Sequence, residues 1–114
     1  IELENEQEVL NVVPKMEQLK EIDLRGVIVT SKSKDYDFVS RFFAPKYGID
    51  EDPVTGSAHT QLTPYWAEQL NQPSLHAKQL SNRGGELYCE LSGDRVIIKG
   101  YAVKYLQGAL EIQT

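Results

Sequence analysis

Two neighbouring carboxylates, Glu51 and Asp52, precede Pro53, the small-residue run Thr55-Gly56-Ser57-Ala58, and His59. Ala58, Leu62, Trp66 and Leu70 then recur every four residues, which predicts a helix from about Gly56 to Leu70. The first amides of a helix have no partner inside it and lie at the positive end of its dipole. A glycine there lets the backbone come close to a ligand. The stretch therefore has the makings of a cradle for a carboxylate or phosphate, with Asp52, Ser57 and His59 as proton-handling groups at its mouth. An anion held there sets a second negative charge beside Asp52 and favours its protonated form, an acid or hydrogen-bond donor.

Each of these residues also has a plainer reading. Glu51 or Asp52 can be a solvated loop acid or a helix cap, and Thr55 an ordinary N-cap. His59 more often packs and hydrogen-bonds than relays protons. Arg83, before two glycines, either reaches an anion or sits solvated in a tight turn. Ser57 lacks a Gly-x-Ser-x-Gly setting, which argues against a serine hydrolase. His59 and His76 have no ligand spacing between them, and no metal site is expected. Cys89 is the one cysteine, so there is no internal disulfide; it falls on the apolar side of a strand, as a buried structural thiol does.

The elements that must position these groups follow from pattern. Asn5 caps a helix beginning at Glu6, and Pro14 ends it and opens a second helix running to about Ile22. Arg25 to Thr30 and Tyr36 to Phe43 read as strands, with a polar loop between them. Pro64 lies inside the Gly56–Leu70 helix, so a kink or two short helices is expected. His76 to Leu80, Glu86 to Leu91 and Arg95 to Lys99 read as strands. The last two are joined by a hairpin turn at Ser92-Gly93-Asp94. Ala102 to Ile112 reads as a closing strand. Partly segregated strands and helices make the fold class α+β.

The 114 residues, 40% hydrophobic and 25% charged, fit one soluble domain. A net charge of −5 argues against nucleic-acid partners. No apolar run approaches a membrane span, and a cytoplasmic setting is the default. The chain opens on Ile1, as a processed product, a cut fragment or an isolated domain does.

Arg41-Phe42-Phe43-Ala44-Pro45, Gly48 and Glu51-Asp52-Pro53-Val54-Thr55-Gly56-Ser57-Ala58-His59 together resemble the signature of the phenazine-biosynthesis (PhzF-like) isomerase family. Pro64-Tyr65-Trp66, Gln79-Leu80-Ser81-Asn82-Arg83-Gly84-Gly85, Gly100-Tyr101-Ala102-Val103 and Leu106-Gln107-Gly108 agree in order. The resemblance implies a diaminopimelate epimerase-like fold. Each of two halves wraps a curved, mostly antiparallel sheet around a central helix, and the active site lies between them. Residues 1–114 then correspond to the C-terminal half, with Gly56–Leu70 as the central helix. The implied activity is proton transfer at carbon of a small carboxylate-bearing substrate, without cofactor. Asp52 and Ser57 take the proton-shuttling roles, and Thr55, Gly56, Ser57, Ala58, His59 and Arg83 the substrate-binding ones. The main acid–base residue belongs to the N-terminal half, the expected partner, and a homodimer is compatible with the family. Ser57 stands where a racemase would carry a thiol, which argues against two-thiol chemistry. A non-catalytic small-anion binding or scaffold protein that retains the fold is the alternative.

Overall fold

The computed structural model describes residues 1–114. Two short helices open the chain, α1 (Glu6–Asn11) and α2 (Met16–Glu21). Asn5 caps α1 as its sequence predicts, its Oδ1 accepting the Glu8 N–H at 2.9 Å. The second helix begins at Met16 rather than Pro14, because Lys15 at its N-cap holds a non-helical ψ of 87°.

Strands β1 (Val27–Lys32) and β2 (Phe38–Phe43) form an antiparallel pair, and a 3-10 turn at Pro45–Tyr47 follows. The long helix α3 (Gly56–Leu70) then carries the chain to β3 (Ser74–Gln79), β4 (Gly85–Ser92) and β5 (Arg95–Lys99). The strands lie in chain order, β1-β2-β3-β4-β5. Only β2 and β3 run parallel, and α3 is the crossover that a parallel pair requires. The result is a mixed sheet of α+β class. Pro64 does not divide α3, which is one helix closed by Asn71 at φ 51°.

Period-two alternation sends β1 and β2 side chains to opposite faces of the sheet. Phe38 joins Leu75, Ala77, Leu87 and Cys89 against Ala58, Leu62 and Trp66 of α3. Val29, Val39 and Phe43 face the other way and pack with Val9, Val12, Met16 and Leu19 of the α1–α2 region. The fully buried Trp66 stacks on Phe38 at 5.9 Å between ring centroids. Its Nε1 donates to Thr30 Oγ1 at 3.0 Å, which pins the middle of α3 to β1.

Residues 100–114 have no regular secondary structure, contrary to the strand expected over Ala102–Ile112. Tyr101, Val103, Tyr105, Leu106, Leu110 and Ile112 are 83% to 99% exposed. An alternating apolar pattern makes a segment competent to pair, but a strand also needs a neighbouring edge, and no strand of the sheet pairs with this segment beyond β5.

Candidate active site

The loop before α3 is held from two directions. The Asp52 N–H donates to the Phe42 carbonyl at 3.0 Å, tying the loop to the end of β2. The Arg41 guanidinium grips Glu51 at 2.7 and 3.1 Å, and its remaining N–H groups reach the carbonyls of Val9, Leu10 and Val12. From the β3–β4 side, the Ser81 hydroxyl donates to the Pro53 carbonyl at 2.7 Å and accepts the Gly84 N–H at 2.9 Å. Gly85 lies so close to Val54 that a Cβ there would overlap the Val54 Cγ2. Only glycine admits β4 at this distance.

Thr55 occupies the N-cap of α3 but does not cap it with its side chain. Its hydroxyl donates to Asp52 Oδ2 at 2.5 Å. Its N–H donates to Gln79 Oε1 at 2.8 Å, and its carbonyl accepts from the His59 ring. The Thr55 amide is thus committed inside the protein and is not available to a ligand, which corrects its expected place in the cradle. The next three amides differ: Gly56, Ser57 and Ala58 donate to no acceptor in the chain. Gly56 and Ser57 are exposed, and nothing stands within 4 Å of where a Gly56 Cβ would be. Three free N–H groups at the positive end of a 15-residue helix, one residue beyond the Asp52-bound Thr55, can receive one anionic oxygen group.

Beside this opening runs an apolar groove of about 480 Å³, bordered by Ser57 and Ala58 on α3 and by Leu24, Ile28 and Phe42. A small acid can set its charge on the helix start and its carbon frame in the groove. A second hollow of about 330 Å³, at His76 and Tyr88, contains none of these residues. No group of three His, Cys, Asp or Glu converges in a metal-ligating arrangement.

His59 does not face the mouth. It is fully buried beneath α3, with Nδ1 2.7 Å from the Thr55 carbonyl and its ring 5.8 Å from that of Phe38. Burial pushes its imidazole below the ordinary value, opposed by the bond to Thr55. The packed reading of His59 therefore replaces the mouth-facing one. Arg83 is exposed and lines a different hollow, with Val54, Gly84 and Tyr101, which Ser57 does not border. The site gains one residue that reading by motif passed over: Gln79, fully buried, donates to the Asp52 carbonyl at 2.8 Å and to Thr55 Oγ1 at 3.0 Å. Its signal was present in the pattern, as a polar residue at the third inward position of Leu75, Ala77, Gln79.

A mixed α+β sheet with an open helix start beside a tethered aspartate defines a candidate site for a small acid. The chain belongs to the phenazine biosynthesis-like (PhzC-PhzF) family, whose model matches residues 1–108. It is 54% identical over 110 residues to a Pseudomonas aeruginosa protein named as an uncharacterized isomerase, covering 96% of this chain and 42% of that one. It is 50% identical over 112 residues to a Halalkalibacterium halodurans protein of the same description, with the same coverage. A crystal structure of a phenazine biosynthesis protein of the PhzF family from Enterococcus faecalis superimposes with a TM-score of 0.82 at 50% identity, over 89% of this chain and 41% of that one. The chain spans about two fifths of the length of the curated relatives it matches. Both of these relatives are named as isomerases.

Proposed function

We propose that the protein is a cofactor-independent isomerase that moves a proton between carbons of a small carboxylate-bearing substrate. The substrate carboxylate rests on the amides of Gly56, Ser57 and Ala58. Asp52 and the Ser57 hydroxyl stand beside the migrating proton and pass it on. The proton leaves one carbon for a carboxylate and returns at another, so substrate and product have the same composition and no redox partner is consumed. In this reading residues 1–114 correspond to the C-terminal half of a diaminopimelate epimerase-like fold. The remaining length of the relatives supplies the facing wall of the cleft and the main acid–base group.

One observation carries this reading: three unclaimed amides at the start of α3 lie next to an aspartate whose loop is held on both sides. The test follows solvent deuterium into a candidate substrate in the intact protein, with Asp52→Asn and Ser57→Ala compared to wild type. Loss of a positioned acid–base group lowers exchange by about a hundredfold or more for Asp52→Asn. Wild-type exchange in both variants would remove the two residues from the mechanism. Binding of the acid by wild type without any exchange would assign the site to anion binding alone.

A further inference from the structure

We propose that Gln79 sets the direction of the hydrogen-bond chain ending on Asp52, so that Asp52 exchanges protons through Oδ1 alone. The inference rests on the isomerase reading above and adds a positioning residue to it.

The direction follows from groups that have no choice. The Thr55 backbone N–H can only donate, so the Gln79 atom 2.8 Å from it is Oε1. The Asp52 carbonyl can only accept, so the atom 2.8 Å from it is Nε2. The two constraints agree on one orientation of the amide. The second Nε2 hydrogen then points to Thr55 Oγ1 at 3.0 Å and makes that oxygen an acceptor. The Thr55 hydroxyl hydrogen is left with one partner, Asp52 Oδ2 at 2.5 Å. Oδ2 is thereby held as an acceptor, while Oδ1 has no donor within the chain. A proton arriving on Asp52 goes to Oδ1. Gln79 is fully buried in β3, so solvent does not compete for either end of its amide.

Gln79→Glu keeps the shape and reverses the logic. An ionised carboxylate there still accepts from the Thr55 N–H but cannot donate, so the Thr55 hydroxyl turns from Asp52 to the new side chain. We expect deuterium exchange in the intact protein to fall by about ten- to a hundredfold at neutral pH, the worth of one hydrogen bond to a charged group. It recovers as the pH is lowered and the introduced carboxylate gains a proton to donate, a rise that wild type does not show. Thr55→Val falls to a similar extent, Thr55→Ser stays within about threefold of wild type, and the Gln79→Glu/Thr55→Val pair loses no more than either alone. If Gln79→Glu does not fold, the Thr55 pair tests the hydroxyl's bond to Asp52, and solvent protection of the Gln79 side-chain amide by NMR decides the direction. A wild-type rate and pH profile in Gln79→Glu, or equal losses in Thr55→Val and Thr55→Ser, would overturn the proposal. A wild type that exchanges nothing sinks the isomerase reading instead. The orientation is then judged by NMR: both Gln79 side-chain amide hydrogens exchange slowly with solvent, one loses protection in Thr55→Val, and two rapidly exchanging hydrogens in wild type would refute it.

Discussion

Arg41 on β2 holds Glu51 in a bidentate pair at 2.7 and 3.1 Å and, with the other arm of its fork, closes the end of α1. The last turn of α1 carries no basic residue of its own. Arg41 supplies the missing cation from the sheet, accepted by the carbonyls of Val9, Leu10 and Val12. One side chain thus joins the opening helix to the loop that presents Asp52.

Arg41→Met keeps most of the stem and removes all five donors. The side chain is 13% exposed and Glu51 23% exposed, so the pair is largely shielded. The expected loss is about 3 kcal/mol, because Glu51 and the α1 carbonyls lose their partner together. Glu51→Gln loses about 1 kcal/mol, as the fork keeps an acceptor. Urea denaturation of the two variants checks the order. A loss below about 0.5 kcal/mol for Arg41→Met, as for an exposed pair, would contradict it.

What the sequence disclosed and what it withheld divide by distance along the chain. The limits of α3 are local: an apolar residue every fourth position, a small-residue start, and Asn71 before Pro73 at its end. The β4–β5 hairpin is local too, through alternation and the tight turn at Gly93, which adopts φ 60°. Thr55 was legible as an N-cap position, but the work of its hydroxyl was not. Gln79, 24 residues away, takes the Thr55 amide, and this contact exists only after β3 has paired in parallel with β2. His59 stood open to two readings for the same reason, since helix position alone does not say which side of α3 faces Phe38, and the commoner packed one is what the fold shows. The region 100–114 failed oppositely. Its pattern suits a strand, and the pairing edge that would make it one is a tertiary matter.

Gly85→Ala is predicted to shift the Asp52 loop. The new Cβ overlaps Val54 Cγ2, and a β-branched valine has little rotamer freedom with which to retreat. Overpacking of this kind costs about 1–3 kcal/mol, and proton exchange falls because Val54 moves with Asp52. Val54→Ala in the same chain removes the obstructing methyl and restores most of both. Thermal unfolding and the exchange rate of the single and double variants measure this. A double variant no better than Gly85→Ala would place the effect elsewhere.

Cys89 is 2% exposed on the α3 side of β4, and burial pushes its thiol up from the ordinary value, opposed by a contact with Thr63. Burial thus both hides the sulfur and suppresses the thiolate that reacts. Native protein is expected to react with an aromatic disulfide reagent at least about a hundredfold more slowly than in denaturant, at the rate at which the core opens. Prompt stoichiometric labelling of native protein would show that α3 does not seal this strand.

The buried ring of His59 gives the fold a pH dependence whose sign can be worked out. Its Nδ1 faces the Thr55 carbonyl and so carries the hydrogen in the neutral ring, while Nε2 is buried without a partner. Protonation would place an unpaired charge there, and burial accordingly lowers the folded-state value below the ordinary 6.5. At pH above 6.5 the ring is neutral in folded and unfolded chains alike, and the group has no effect on the slope of stability with pH. As pH falls below that point the unfolded chain binds the proton first, so stability declines at up to about 1.4 kcal/mol per pH unit. The decline stops once the pH passes the folded-state value, where both states are charged. His59→Gln keeps a donor within reach of Thr55 and cannot titrate in this range. Its stability at neutral pH should be lower than wild type, and its slope flatter as the pH is taken down from 6.5. Urea midpoints across that range, wild type against variant, isolate the contribution because every other titrating group is common to both. Identical slopes would mean that His59 is solvated in the native state, and that the underside of α3 opens to water.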